Sequence, residues 1–131
     1  MNALTNLLHF DSQTQALSQV AGRLSWDQET MMPYGSADQR GSEIAALEGV
    51  LHARRCDGRV GSWLADIDAK SEDVVTQAQL REIKRSYERA EKVPGDLVEA
   101  LARTTSVAQG KWAVARAADD FASFSPLLEE V

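Results

Sequence analysis

From Leu4 onward, apolar residues recur at Leu4, Leu7, Leu8, Leu17, Val20, Ala21 and Leu24. Spacings of three and four place them on one stripe, which predicts a first helix ending near Trp26 or Gln28. Met31-Met32-Pro33-Tyr34-Gly35 follows, and the chain turns there, because proline disfavours helix at the residue before it and glycine tolerates positive φ. Ser36 and Gln39 have capping-box spacing, and Ile44, Leu47, Val50 and Leu51 carry a second apolar stripe to about Arg54. Asp57-Gly58-Arg59 interrupts the pattern before Val60, Trp63, Leu64 and Ile67, which make an amphipathic helix of about two turns.

Ser71 reads as the N-cap of the next helix, with Glu72 and Asp73 in its positive first turn. Leu80, Ile83, Tyr87 and Ala90 form its buried face to about Lys92. Pro94 fits a first helical position, and Leu97, Leu101, Thr105, Ala108, Trp112 and Ala115 alternate in fours and threes along a long helix to about Ala118. This register makes Trp112 a core residue. Ser125-Pro126 reads as an N-cap and first helical residue, leaving only a few residues before Val131. Isolated helices below ~12 residues are marginal, so the chain is read here as a piece of a longer protein whose four amphipathic helices pack on something more. No strand-like alternation, internal repeat or linker divides it. The expected class is all-α, in antiparallel helical hairpins, with residues 1–131 as one helical region.

Composition supports that reading. Ala is the commonest of the 131 residues, while Gly and Pro number only 8 and 3. With 44% hydrophobic residues the chain can build a core. Its net charge of −6 gives no general attraction to nucleic acid or anionic lipid. No stretch has the length of a membrane span, and the start resembles no signal peptide. The one cysteine, Cys56, has no internal partner, which fits a reducing, cytoplasmic setting.

Candidate chemistry is sparse. The densest polar and aromatic group is Trp26-Asp27-Gln28-Glu29-Thr30. Asp27 and Glu29, two apart, do not share a helix face, which disfavours a catalytic acid/base pair. On the plainer reading Trp26 plugs the core and the carboxylates are solvated or pair with an arginine. His52 and Cys56 are one helical turn apart but make at most half a metal site, and His9 is remote. Arg54, Arg55 and His52 give Cys56 electropositive neighbours, which would favour a mildly reactive thiol. No HExxH, G-x-S-x-G or glycine-rich phosphate loop is present. Arg81 to Arg89 interleaves Arg, Lys and Glu as a solvated helix face does. Arg103 and Arg116, among apolar residues, either snorkel or bind a carboxylate outside the chain.

Three blocks together resemble the amino-terminal quarter of the carboxypeptidase Taq family of metallocarboxypeptidases. The first is Leu24-Ser25-Trp26-Asp27-Gln28-Glu29-Thr30 with Met32-Pro33 and Gly35, and the second is Arg81-Glu82 with Tyr87-Glu88-Arg89-Ala90 and Val93-Pro94. The third runs from Thr105-Ser106 through Gln109, Trp112 and Ala115-Arg116 to Asp120-Phe121, Phe124, Pro126 and Leu128. Tyr34 departs from the proline expected after Met-Pro. The resemblance implies a helical, homodimeric enzyme that removes residues from the carboxyl end of peptides with a divalent metal such as zinc or cobalt. Its HExxH ligands and general base lie beyond position 131, so no catalytic or metal residue carries over. These helices would form a wall or lid of the substrate groove, to which Trp26, Asp27 and Glu29 are candidate contributors. The alternative is a stand-alone helical interaction module.

Overall fold

A computed structural model describes residues 2–131, and among them every regular element is helical. Six α-helices follow in order: α1 (Ala3–Thr30), α2 (Ala37–Arg55), α3 (Gly58–Asp66), α4 (Val74–Ala90), α5 (Gly95–Ala117) and α6 (Phe121–Glu130), with a single 3-10 turn at Ala69–Ser71 before α4. The all-α expectation holds.

The elements are where the hydrophobic pattern puts them, but several ends are set differently. Helix α1 continues to Thr30, past the expected stop, and the Asn2 side chain caps its start by accepting from Thr5 N–H. The Ser36–Gln39 capping box does not form: Ser36 makes no side-chain cap bond, and Gln39 donates instead to Glu43 one turn on. Ser71 closes the 3-10 turn, and Asp73 is the true N-cap of α4, accepting from the N–H groups of Val75 and Thr76. A carboxylate with two backbone donors is the stronger cap, so it takes the position. Pro94 is the N-cap of α5, one residue before the position expected.

Helix α6 corrects the reading of the carboxyl end. It starts at Phe121 from Asp120, whose side chain accepts from Ser123 N–H, and Pro126 lies inside it. Proline cannot donate to the carbonyl four residues back, and the Ser125 hydroxyl donates to that Ala122 carbonyl instead, at 3.3 Å.

Two antiparallel hairpins result, α1 with α2 and α5 with α6, and the seam between α2 and α5 joins them. Contacts along α1 and α2 run in opposite directions, with Asp27 against Arg40 at one end and Thr14 against Arg54 at the other. Thr104 meets Glu130 at the far end of the second hairpin. In the seam, a methyl group on Gly110 would stand 2.5 Å from Ala37 Cβ, and one on Gly41 would stand 2.7 Å from Val107 Cγ2. Gly95 lies against His52 at the other end, so α2 and α5 are also antiparallel. At the α1–α2 turn, Gly35 has φ +88°, a conformation few other residues adopt without strain.

The apolar core is small and off to one side. Leu7, Phe10, Val60 and Leu80 are buried together, with Leu4, Trp63, Leu64, Ile67, Ile83 and Tyr87 packed around them. Phe10 and Trp63 meet edge to face at 5.8 Å, and the Arg54 guanidinium lies 4.0 Å from the Phe10 ring centroid. Arg54 also donates to the Thr14 hydroxyl and the Phe10 carbonyl, closing the polar edge of this core.

Trp112 is not in the core: it is 44% exposed. Residues 106 and 108 are 200° apart on a helix, yet Ser106 and Ala108 are both buried, so α5 is covered on opposite sides. Gly110 and Val107 face α2, Ser106 faces α1, and Trp112 and Ala115 lie beside Phe121, Phe124 and Leu128 of α6. Since α6 ends level with Thr104, Leu97 and Leu101 stand beyond it, 55% and 48% exposed. Of the expected stripe only Ala108 and Ala115 are buried, while Leu97, Leu101, Thr105 and Trp112 are exposed, so the expected core face of α5 is corrected. The total accessible surface, 8516 Å², exceeds the ~6,800 Å² that the size scaling of folded monomers gives for 14.3 kDa.

Three stability effects are expected, each read from chemical denaturation of the purified chain. Trp112→Ala should cost less than ~1.5 kcal/mol, whereas Leu51→Ala, at a fully buried site, should cost ~2–5 kcal/mol. Gly110→Ala should destabilise by ~1–3 kcal/mol through the clash with Ala37. Gly22→Ala, with open space around it inside α1, should stabilise by ~0.5–1 kcal/mol. For pH, the Arg59 guanidinium and then its backbone N–H hold the Asp57 carboxyl down from 3.8 to about 2 at the N-cap of α3. The folded value lies below the unfolded one, so Asp57 contributes fully above about pH 4 and loses that contribution as pH falls towards 2. Asp57→Ala should flatten that acid limb of the stability curve.

Candidate functional site

The last two turns of α1 form the polar centre of the molecule. Asp27 faces α2, where its carboxylate accepts from Arg40 Nη2 at 2.5 Å. Arg40 is nearly covered, with 11% of its side chain exposed, and it also donates to the Leu24 carbonyl at 2.6 Å and to Glu43 at 3.0 Å. The Asp27 hydrogen bond, then Glu43, raise the Arg40 pKa against the opposing effect of burial. Three acceptors around one covered guanidinium fix the crossing of α1 and α2.

Gln28 faces α5. Its amide nitrogen donates to the Ser106 carbonyl at 2.7 Å, while its amide oxygen accepts from the Ser106 hydroxyl at 2.9 Å. Ser106 is buried, so this paired bond satisfies its hydroxyl. Glu29 accepts from Gln109 Nε2 one turn along α5, at 3.2 Å. Asp27 and Glu29 thus diverge to different helices, which excludes an acid/base pair between them. Gln28 has the most extensive contacts of the block, yet an amide within a charged run carries no sequence signal for that role.

Trp26 does not plug the core. It is 63% exposed, because a residue two positions before Gln28 lies 200° around the helix from the face packed on α5. Around the following turn Met31 and Tyr34 are 70% and 89% exposed. Between this turn and α5 lies a groove of about 560 Å³, lined on one side by Gln28, Glu29, Met32 and Tyr34 and on the other by Gln109 and Lys111. The helix termini, the turn and α5 therefore bring Glu29 to a groove wall, leave Trp26 on the outer surface and commit Asp27 to the α1–α2 clamp.

Other candidates have structural roles. Cys56 Sγ lies 3.6 Å from His52 Nε2, but burial and then Glu91 push its thiol pKa up, outweighing Arg55. Arg54 points to α1 rather than to Cys56, so of the electropositive neighbours read from the sequence only Arg55 opposes that upward shift. Arg103 donates to the Ser42 hydroxyl of α2, and Arg116 pairs with Asp119 at 3.1 Å, so both have partners within the chain. On α4, Arg81 and Arg85 approach Glu82, and Lys84 approaches Glu88, all more than half exposed, as a solvated face requires. Among the described residues no three of His, Cys, Asp and Glu gather to hold a metal ion, and no helix is long and apolar enough to cross a membrane.

The sequence has relatives. The chain is 36% identical over 133 residues to thermostable carboxypeptidase 1 of Thermus thermophilus, an alignment that takes in 98% of this chain and 26% of that relative. It therefore spans about a quarter of the length of the curated relative it matches. The family model for carboxypeptidase Taq (M32) metallopeptidases matches residues 6–131. A match over nearly every helix, and over all three blocks of the sequence, makes this chain a member of the carboxypeptidase Taq (M32) metallopeptidase family.

Proposed function

We propose that these residues are the amino-terminal helical region of a metal-dependent carboxypeptidase, and that they form a wall or lid of its peptide groove. The observation that carries the reading is the family match over residues 6–131, together with a relative named as a carboxypeptidase. The residues present do not fit a metal, so the zinc or cobalt of the whole enzyme takes its ligands from elsewhere in the protein. The substrate is a peptide with a free carboxyl end, and the whole enzyme is a cytoplasmic homodimer.

Within that reading, Trp26, Asp27 and Glu29 have different duties. Asp27 positions the end of α1 through Arg40. Glu29 offers a carboxylate at the groove wall, and Trp26 offers an exposed aromatic face on the outer surface beside it, where a bound peptide extending past the groove would meet it. Uncovered Leu97 and Leu101 on α5 support the same view, as an apolar stripe that the rest of the enzyme covers.

Reading the gene past Val131 tests the assignment directly: an HExxH motif supports it, and its absence leaves a stand-alone helical interaction module. The 131-residue chain alone is expected to release no carboxyl-terminal residue from peptides, since metal hydrolysis needs about three protein ligands and an open water position. In the intact enzyme, Trp26→Ala and Glu29→Gln should each raise KM by about threefold to tenfold with an unchanged denaturation midpoint. Asp27→Asn should instead lower the midpoint, by ~1 kcal/mol. Unaltered kinetics in both Trp26 and Glu29 variants would remove both from peptide contact.

A further inference from the structure

We propose that the cleft between α2 and α4 is a binding site for the carboxylates of an acidic peptide segment. The cleft, about 610 Å³, is lined by Arg55 and His52 of α2 and by Arg85 and Arg89 of α4. It lies on a different part of the molecule from the groove at the α1–α2 turn, so the proposal does not depend on the role given to Trp26 or Glu29.

The first argument is charge. In a chain of net charge −6, three guanidiniums open onto one cleft. None is closely neutralised: Arg55 stands 3.6 Å from Glu48, Arg85 stands 4.0 Å from Glu82, and Arg89 has no ion pair within 4.0 Å among the described residues. By contrast Arg40, Arg59 and Arg116 hold carboxylates at 2.5, 2.7 and 3.1 Å. Glu82 is the one acid lining the cleft, and it is shared with Arg81 at 3.4 Å. Arg85 and Arg89 are also four apart on α4, a like-charge spacing that weakens a helix unless an anion lies between them.

The second argument is shape and chemistry. Guanidinium forks match planar carboxylates bidentately. Ala90, Val93 and Val98 also line the cleft and offer apolar contact to the methylene groups of acidic side chains. The volume lies in the range that holds an extended organic ligand, and it is larger than one inorganic anion needs.

Triglutamate and inorganic phosphate, titrated separately into the 131-residue chain, distinguish the two oxyanion sources. NMR of the arginine Nε–Hε groups follows binding at about 0.02 M and about 0.5 M salt. Triglutamate should saturate, shift Arg85 and Arg89, bind more tightly than phosphate, and weaken at high salt. Arg85→Ala with Arg89→Ala should weaken it by about tenfold or more, while Arg81→Ala, outside the cleft, should change it by less than about twofold. The double lysine variant keeps the charge and the fold while losing the fork, and it should bind with intermediate affinity. Non-saturating shifts, an equal loss from Arg81→Ala, or phosphate binding as tightly as triglutamate would each overturn the acidic-peptide assignment.

Discussion

The close approach of α2 and α5 is the constraint on which the rest of the structure depends. Two helices pack at their shortest separation only where side chains are small, and Ala37, Gly41 and Gly110 supply that condition along the seam. Helix α2 can then do two things at once. One side carries α5 and, through it, α6. The other carries α1, held by Arg40 near its start and Arg54 near its end. Without the seam, the second hairpin would be tied to α1, and so to the apolar core formed by α1, α3 and α4, only by the Gln28–Ser106 and Glu29–Gln109 hydrogen bonds.

The two ends of α1 are stabilised by different forces. Near the start, Leu7 and Phe10 are buried among apolar groups, and area removed from water is the main contribution. Near the end, Asp27 and Gln28 make hydrogen bonds to partly covered groups, where an unpaired partner costs more than the bond itself contributes. Apolar packing tolerates small shifts, but a guanidinium with three acceptors does not. The polar end of α1 therefore fixes geometry, and it is the end beside the groove at the α1–α2 turn.

How much of this was legible in the sequence differs by feature. The existence and order of the main helices follow from apolar spacing, which survives in α1, α3 and α4 because their stripes meet in one apolar core. The caps were less legible. Ser71 and Asp73 both have cap chemistry, and only the placement of the 3-10 turn decides between them. The Trp-Asp-Gln-Glu block was visible as a concentration of chemistry, but its division of labour was not. Which way Trp26 and Gln28 point depends on where α5 lies, and α5 is nearly 80 residues away in sequence. Likewise the apolar stripe of α5 is mostly exposed, because sequence periodicity reports no partner for a stripe and could not show that α2 would take the glycine-bearing side.

That two-sided burial of α5 connects the fold to the family. A helix packed on one side by small residues and on the other by a short apolar hairpin partner retains exposed apolar length, here Leu97 and Leu101. In a self-sufficient domain such residues would be drawn into the core, since each buried leucine contributes about 1.5–3 kcal/mol. They remain outside because the seam already fixes α5 against α2, and rotating the helix to hide them would drive side chains into Ala37 and break the Gln28–Ser106 pair. The sequence thus holds apolar surface in the open at a defined orientation. Under the function proposed above, that surface is where the rest of the enzyme would dock.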